Sequence, residues 1–148
     1  MKAAAAFLCF LSSAAHAAPA GVFEVRLVVE CASGMTAFAL EAPEAVRRTE
    51  LLCVSPDVIL TQDDVVKVTK VTEFRDAAAI TYNPAAQARM SKATWEFVGR
   101  RLAFLSNGKL LSAPVISQPI AGDTVEVTSR REDLDQILHD LTNGSRPL

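Results

Sequence analysis

The stretch VGRRLAFLSNGKLLSAPVI, residues 98–116, carries a helix stop, a strand, a tight turn and a second strand. Asn107-Gly108 sits between the apolar runs Leu102 to Leu105 and Leu110 to Ala113. This predicts a hairpin with a type I′ turn, because both turn residues tolerate positive φ. The continuation Ala113-Pro114-Val115-Ile116 is too apolar for a solvated loop. Pro114, and Pro119 beyond it, lack the amide donor a central strand requires. The segment therefore reads as a sheet edge shaped and blunted by proline.

Upstream, Asn83 is a good N-cap and Pro84 suits the first helical position, where its missing N–H would be unpaired anyway. The helix is expected to run to about Val98 and stop at Gly99. Ala86, Met90, Ala93 and Phe97 recur as its packed face, with Trp95 off that stripe. A ring so placed either folds flat over a neighbouring strand, the reading we prefer, or offers an aromatic contact to a partner.

Val66 to Glu73 and Ala77 to Tyr82 read as strands joined by a tight turn near Arg75-Asp76. Thr61 with Asp64 fits a cap that starts at most one helical turn. Residues 50–54 are a strand, and 55–60 stay extended. Residues 31–48 form a long connection with one short strand or helix. In residues 22–30, Phe23, Val25, Leu27 and Val29 alternate with Glu24, Arg26 and Glu30, the pattern of a half-buried strand.

Downstream, DTVEVT (123–128) is another strand. Ser129 to Glu132 form a capping box ahead of the stripe Leu134, Ile137, Leu138 and Leu141. Hairpins plus two helices that follow strands predict an α+β fold: a mixed or antiparallel sheet with two main helices packed on one face.

The N-terminus, MKAAAAFLCFLSSAAHAAPA, reads as a leader. Lys2 is followed by an apolar run too short to span a bilayer, which takes roughly 20 residues. Ala15-His16-Ala17 supplies a small-x-small cleavage pattern, so residues 1–17 are expected to be removed and 18–148 to form a single domain. Its 17 acidic residues face 14 basic ones once Lys2 is gone. The basic pairs Arg47-Arg48, Arg100-Arg101 and Arg130-Arg131 are scattered, which excludes a nucleic-acid patch. No mature segment is apolar enough over its length to span a membrane. Cys31 and Cys53 are the two mature cysteines, and in an oxidising compartment such a pair favours a disulfide.

Catalytic chemistry finds little support. His139 is the one mature histidine and lies off its helix's stripe. Without a second imidazole or a nucleophile elbow, neither a metal centre nor a triad can be assembled around it. Asp63-Asp64 could be read as paired carboxylates, but capping accounts for Asp64. No cofactor motif is present. Asn143-Gly144-Ser145 fits a glycosylation acceptor, of consequence only in a eukaryotic secretory route.

Three stretches, FEVRLV, VILTQDDV and VGRRLAFLSNGKLLSAPVI, resemble the head subdomain of the first periplasmic domain of SecD, the bacterial export subunit that works with SecF. The resemblance covers most of residues 22–141, with 31–49 matching poorly. It implies a bacterial periplasmic address, a domain that is not an enzyme, and a role in meeting polypeptide as it leaves the translocation channel. The partner would be unfolded polypeptide or another envelope protein, met through Trp95, Ala113, Pro114, Val115, Ile116 and Pro119. SecD proteins enter and leave this domain through membrane segments. Here a cleavable leader is expected instead and the chain stops at Leu148, so transport itself is not implied.

Overall fold

The computed structural model describes residues 23–41, 49–71, 73 and 76–144. The expected leader, Arg47-Arg48, Arg75 and Ser145 of the glycosylation pattern lie outside the described residues. In chain order the elements are β1 (Phe23–Val29), β2 (Ala37–Glu41), β3 (Thr49–Thr61), a 3₁₀ turn (Gln62–Asp64), β4 (Val65–Lys70) and β5 (Ala77–Tyr82). They continue with α1 (Pro84–Glu96), β6 (Leu102–Ser106), β7 (Lys109–Ser112), β8 (Thr124–Thr128) and α2 (Arg131–Gly144).

The fold is α+β, as expected, and each strand pair is antiparallel. The strands divide between two sheets, however, ordered β2-β3-β1-β6-β7 and β4-β5-β8. The division falls at the Thr61–Asp64 turn. The Asp64 carboxylate accepts the Thr61 N–H at 2.9 Å and the Thr61 hydroxyl at 3.1 Å, locking a bend that sends β4 away from the first sheet.

The hairpin forms as read. Asn107 and Gly108 have φ of 49° and 75°, and Ser106 pairs with Lys109 across the turn. Such values select Asn-Gly because a β-branched or bulky residue resists positive φ. α1 also begins as read, with the Asn83 side chain accepting the Ala86 N–H at 2.8 Å.

Three details differ from the sequence expectation. Residues 49–61 form one long strand, not two extended pieces, even though Pro56 lies within it. The pairing with β1 slips there, and Arg26 sends Nη1 to the carbonyls of Ser55 (3.2 Å) and Pro56 (2.7 Å), satisfying groups the slip leaves unpaired. On α1 the buried face is Ala86, Met90 and Thr94, with Ala93 only half-buried. Thr94 is tolerated because its hydroxyl donates to the Met90 carbonyl (2.8 Å) and accepts the Ile120 N–H (2.8 Å). Finally, α2 starts at Arg131, one residue later than a cap at Ser129 would place it, and the Ser129 N–H donates to the Asp76 carbonyl at 3.1 Å.

The main core lies between the two sheets and the helices. Phe23, Val25 and Leu27 of β1 meet Leu102 and Phe104 of β6, Ile80 and Tyr82 of β5, and Leu134, Ile137 and Leu141 of α2. A second cluster covers the opposite face of β6, joining Ala103 and Leu105 to Leu52, Leu110 and Ala113, with Phe38 and Leu40 packed against them. β6 is thus buried on both faces, which is why LAFLS lacks alternation. The two ends of the larger sheet, β2 and β7, approach each other without forming a ladder. The disulfide forms between Cys31 and Cys53, with Cα atoms 5.1 Å apart, tying the end of β1 to β3.

Candidate groove beside strand β7

After β7 the chain runs back along residues 99–102. Leu102 N–H donates to the Pro114 carbonyl (3.0 Å), Ile116 N–H to the Arg100 carbonyl (2.7 Å), and Gly99 N–H to the Ile116 carbonyl (2.8 Å). In an extended residue the N–H and C=O leave on the same side. The ring nitrogen of Pro114 therefore faces this inner ladder. Its missing donor weakens the pairing with β6 and does not blunt the outer edge, contrary to the sequence reading. The outer side of this segment carries the backbone groups of Ala113 and Val115.

The residues singled out from sequence separate accordingly. Ala113 and Ile116 are core side chains, 7% and 4% exposed. Pro114 is exposed, as is Val115 at 59%. Pro119 is half-buried in a strap tied to α1 through Ile120 and the bond from Gln87 Nε2 to the Ala121 carbonyl (2.8 Å). Trp95 is 74% exposed, so it does not fold flat over a strand. It shares the exposed end of α1 with Val98, while Ala113 and Pro114 line a different feature.

That feature is a groove of about 870 Å³ along β7. One wall is Leu40, Thr49 and Glu50 from β2 and β3, and the floor is Lys109 to Pro114. Thr128, Ser129, Arg130, Asp133 and Asp76 form the other wall, and Arg101 reaches in from the inner ladder. Its charges are largely paired with one another. Arg101 Nη1 meets Glu50 Oε1 at 2.8 Å, and Asp133 accepts from Lys109 Nζ (2.8 Å) and Arg130 Nε (3.2 Å). Burial alone would raise the Asp133 carboxyl, but the bonds and charges of Lys109 and Arg130 outweigh it and hold it below the usual aspartate range. What remains for a ligand is apolar wall and backbone edge.

Neither acidic nor imidazole chemistry gathers here. Asp64 is a structural hub rather than half of a catalytic pair: beyond Thr61 it accepts Arg89 Nη2 (2.6 Å) and Asn83 Nδ2 (3.2 Å), while Asp63 is exposed. His139 lies on the exposed side of α2. Among the described residues no His, Cys, Asp and Glu cluster is placed to hold a metal ion, and no helix is long and apolar enough to cross a membrane. The sequence reading missed Glu50, Arg101, Lys109 and Asp133 as groove residues. Only the signature of the hairpin hinted at Lys109, and nothing in linear order brings Glu50 to Arg101.

Comparison with known proteins gives this arrangement a family. Residues 39–137 match the model of the SecDF P1 head subdomain. The protein translocase subunit SecDF of Thermus thermophilus is 30% identical over 144 residues, covering 86% of this chain and 19% of the relative. The chain thus spans about a fifth of that relative's length. A solved structure described as a membrane component SecDF that enhances protein export superposes with a TM-score of 0.61 at 24% identity, over 86% of this chain and 64% of the other. SecDF in a super-membrane-facing form gives 0.60 at 21% identity, covering 86% and 19%. These two share the fold. With two thirds of its residues matched by the family model, the chain belongs to the SecDF P1 head subdomain family.

Proposed function

We propose that this domain works outside the cytoplasm as a non-enzymatic binding module that holds extended, unfolded polypeptide in the groove beside β7. The observation that carries the reading is the combination of apolar wall and outward backbone edge in a groove whose charges pair among themselves. An extended chain is the ligand that brings both main-chain hydrogen bonds and alternate apolar side chains to such a place. The family supports the connection to protein export, and the Cys31–Cys53 disulfide supports an oxidising compartment. A leader removed after Ala17 would deliver the domain there.

Affinity near micromolar at best, about −8 kcal/mol, is expected, because the usable edge is short. The test is an amide-resolved NMR titration with a reduced, alkylated model protein and with its folded form. Binding of the unfolded form alone, with shifts at Leu110 to Val115, is the expected result. Equal binding of both forms, or of neither, would overturn it. A second reading rests on the exposed Trp95, Val98 and Val115: these would dock another envelope protein, with no role in export. Loss of a pulled-down envelope partner on Trp95→Ala, with the groove unaffected, would favour it.

A further inference from the structure

We propose that Arg101 guards the outer edge of β7, so that a polypeptide must displace its guanidinium before it can pair there. This rests on the polypeptide reading and adds a gate to it. Arg101 lies opposite Val115 in the inner ladder, while its carbonyl turns the other way and accepts the Val28 N–H of β1 at 2.9 Å. Its side chain crosses to the groove, where Nε donates to the Ala113 carbonyl at 2.7 Å and Nη1 to Glu50 at 2.8 Å.

Ala113 lies between Ser112, paired with Phe104, and Pro114, whose carbonyl accepts from Leu102. A following proline favours extended backbone, so the Ala113 carbonyl leaves on the side opposite that of Pro114, toward the groove. Arg101 therefore occupies the acceptor that an incoming strand's N–H would need. Farther along, the Ser129 hydroxyl faces the Leu111 carbonyl at a long 3.4 Å, a weaker contact to displace. A charge-assisted bond is roughly twice as strong as a neutral one, so backbone exchange alone does not favour the ligand. The difference has to come from apolar side chains seated against Leu40, Leu110 and Leu111. The gate thus selects chains with alternating apolar residues, and it also shields the edge from pairing with other copies.

The experiment is an NMR titration with a short synthetic peptide alternating valine with serine and threonine, uncharged and capped at both ends. Arg101→Ala should bind about tenfold more tightly than the unaltered protein, the loss of one charge-assisted bond. Salt should tighten binding to the unaltered protein by weakening the Glu50 pair, and should leave Arg101→Ala unmoved. Should Arg101→Ala fail to fold, Glu50→Gln, which frees half of the guanidinium, should bind about twofold to threefold more tightly. Unchanged or weaker binding by a folded variant would overturn the gate alone. No binding by any of the proteins at millimolar peptide would overturn the polypeptide reading beneath it.

Discussion

Replacing Asp64 by Asn tests the joint on which the division into two sheets depends. The carboxylate accepts from Thr61 N–H and hydroxyl, Asn83 Nδ2 and Arg89 Nη2, and its side chain is 13% exposed. Asn keeps the shape but retains one acceptor oxygen and turns an NH₂ toward groups that are already donors. A hydrogen bond to a charged group contributes about 1.5–3 kcal/mol. The Arg89 partner is half-exposed, which puts its share at the low end. Asp64→Asn should therefore cost about 2–3 kcal/mol at pH 7, read as a shift of the urea midpoint at unchanged slope. Urea is the right denaturant because guanidinium would screen the pair. Burial would raise the Asp64 carboxyl, yet Thr61 and Arg89 more than compensate and its pKa is lowered on folding. A lowered folded-state pKa gives stability that is complete above the unfolded value, about 3.9, and is lost as pH falls through the folded value. The gap between the two proteins should accordingly close below about pH 4. A gap that stayed open at pH 2, or one below about 0.5 kcal/mol at pH 7, would show that charge is not what holds this joint.

Replacing both Cys31 and Cys53 by Ser removes a bond spanning 22 residues and should destabilise the domain by about 3 kcal/mol, measured by urea unfolding of both proteins. Gly99 has φ of +87° with open space where a Cβ would stand, so Gly99→Val should cost about 1–2 kcal/mol in thermal unfolding and Gly99→Asn clearly less, since Asn tolerates this conformation. Thr94→Val preserves volume but strands the Ile120 N–H. A loss of about 1–3 kcal/mol is expected, with hydrogen exchange at Ile120 accelerated beyond that of its neighbours. Trp95 should emit like a solvated indole in the folded protein and be readily quenched by acrylamide; a blue-shifted, protected ring would refute its exposed placement.

The features legible in the sequence are those whose causes are local. Asn107-Gly108 states its turn through backbone sterics, Asn83-Pro84 states a helix start, and alternation in Phe23 to Val29 states a half-buried strand. The resemblance to SecD heads added the family, which the comparisons bear out. What stayed hidden depends on distant partners. That residues 49–61 form one strand through Pro56 could not be read locally, because the compensating Arg26 lies 30 residues away. The sequence pattern puts Ala86, Met90, Ala93 and Phe97 on the packed face of α1, and Thr94 is missing from it because the bond that makes its burial tolerable comes from Ile120, beyond the hairpin. The direction of Pro114's nitrogen, which inverts the reading of the edge, is fixed only by Leu102. The groove is hidden for the same reason: Glu50, Arg101 and Asp133 meet through topology.

The central position of β1 has a consequence for how the chain reaches this structure. β1 is flanked by β3 on one side and by β6 on the other, and Phe23 is in register with Ser106, about eighty residues later. A chain delivered from its N-terminus would present the apolar face of Phe23, Val25 and Leu27 long before the strand that covers it arrives. Pairing at such separation is slow, since the loop must close before the contacts reward it. During that interval the nascent domain is itself an extended apolar polypeptide, and it completes its larger sheet only after the Asn107-Gly108 hairpin has been released.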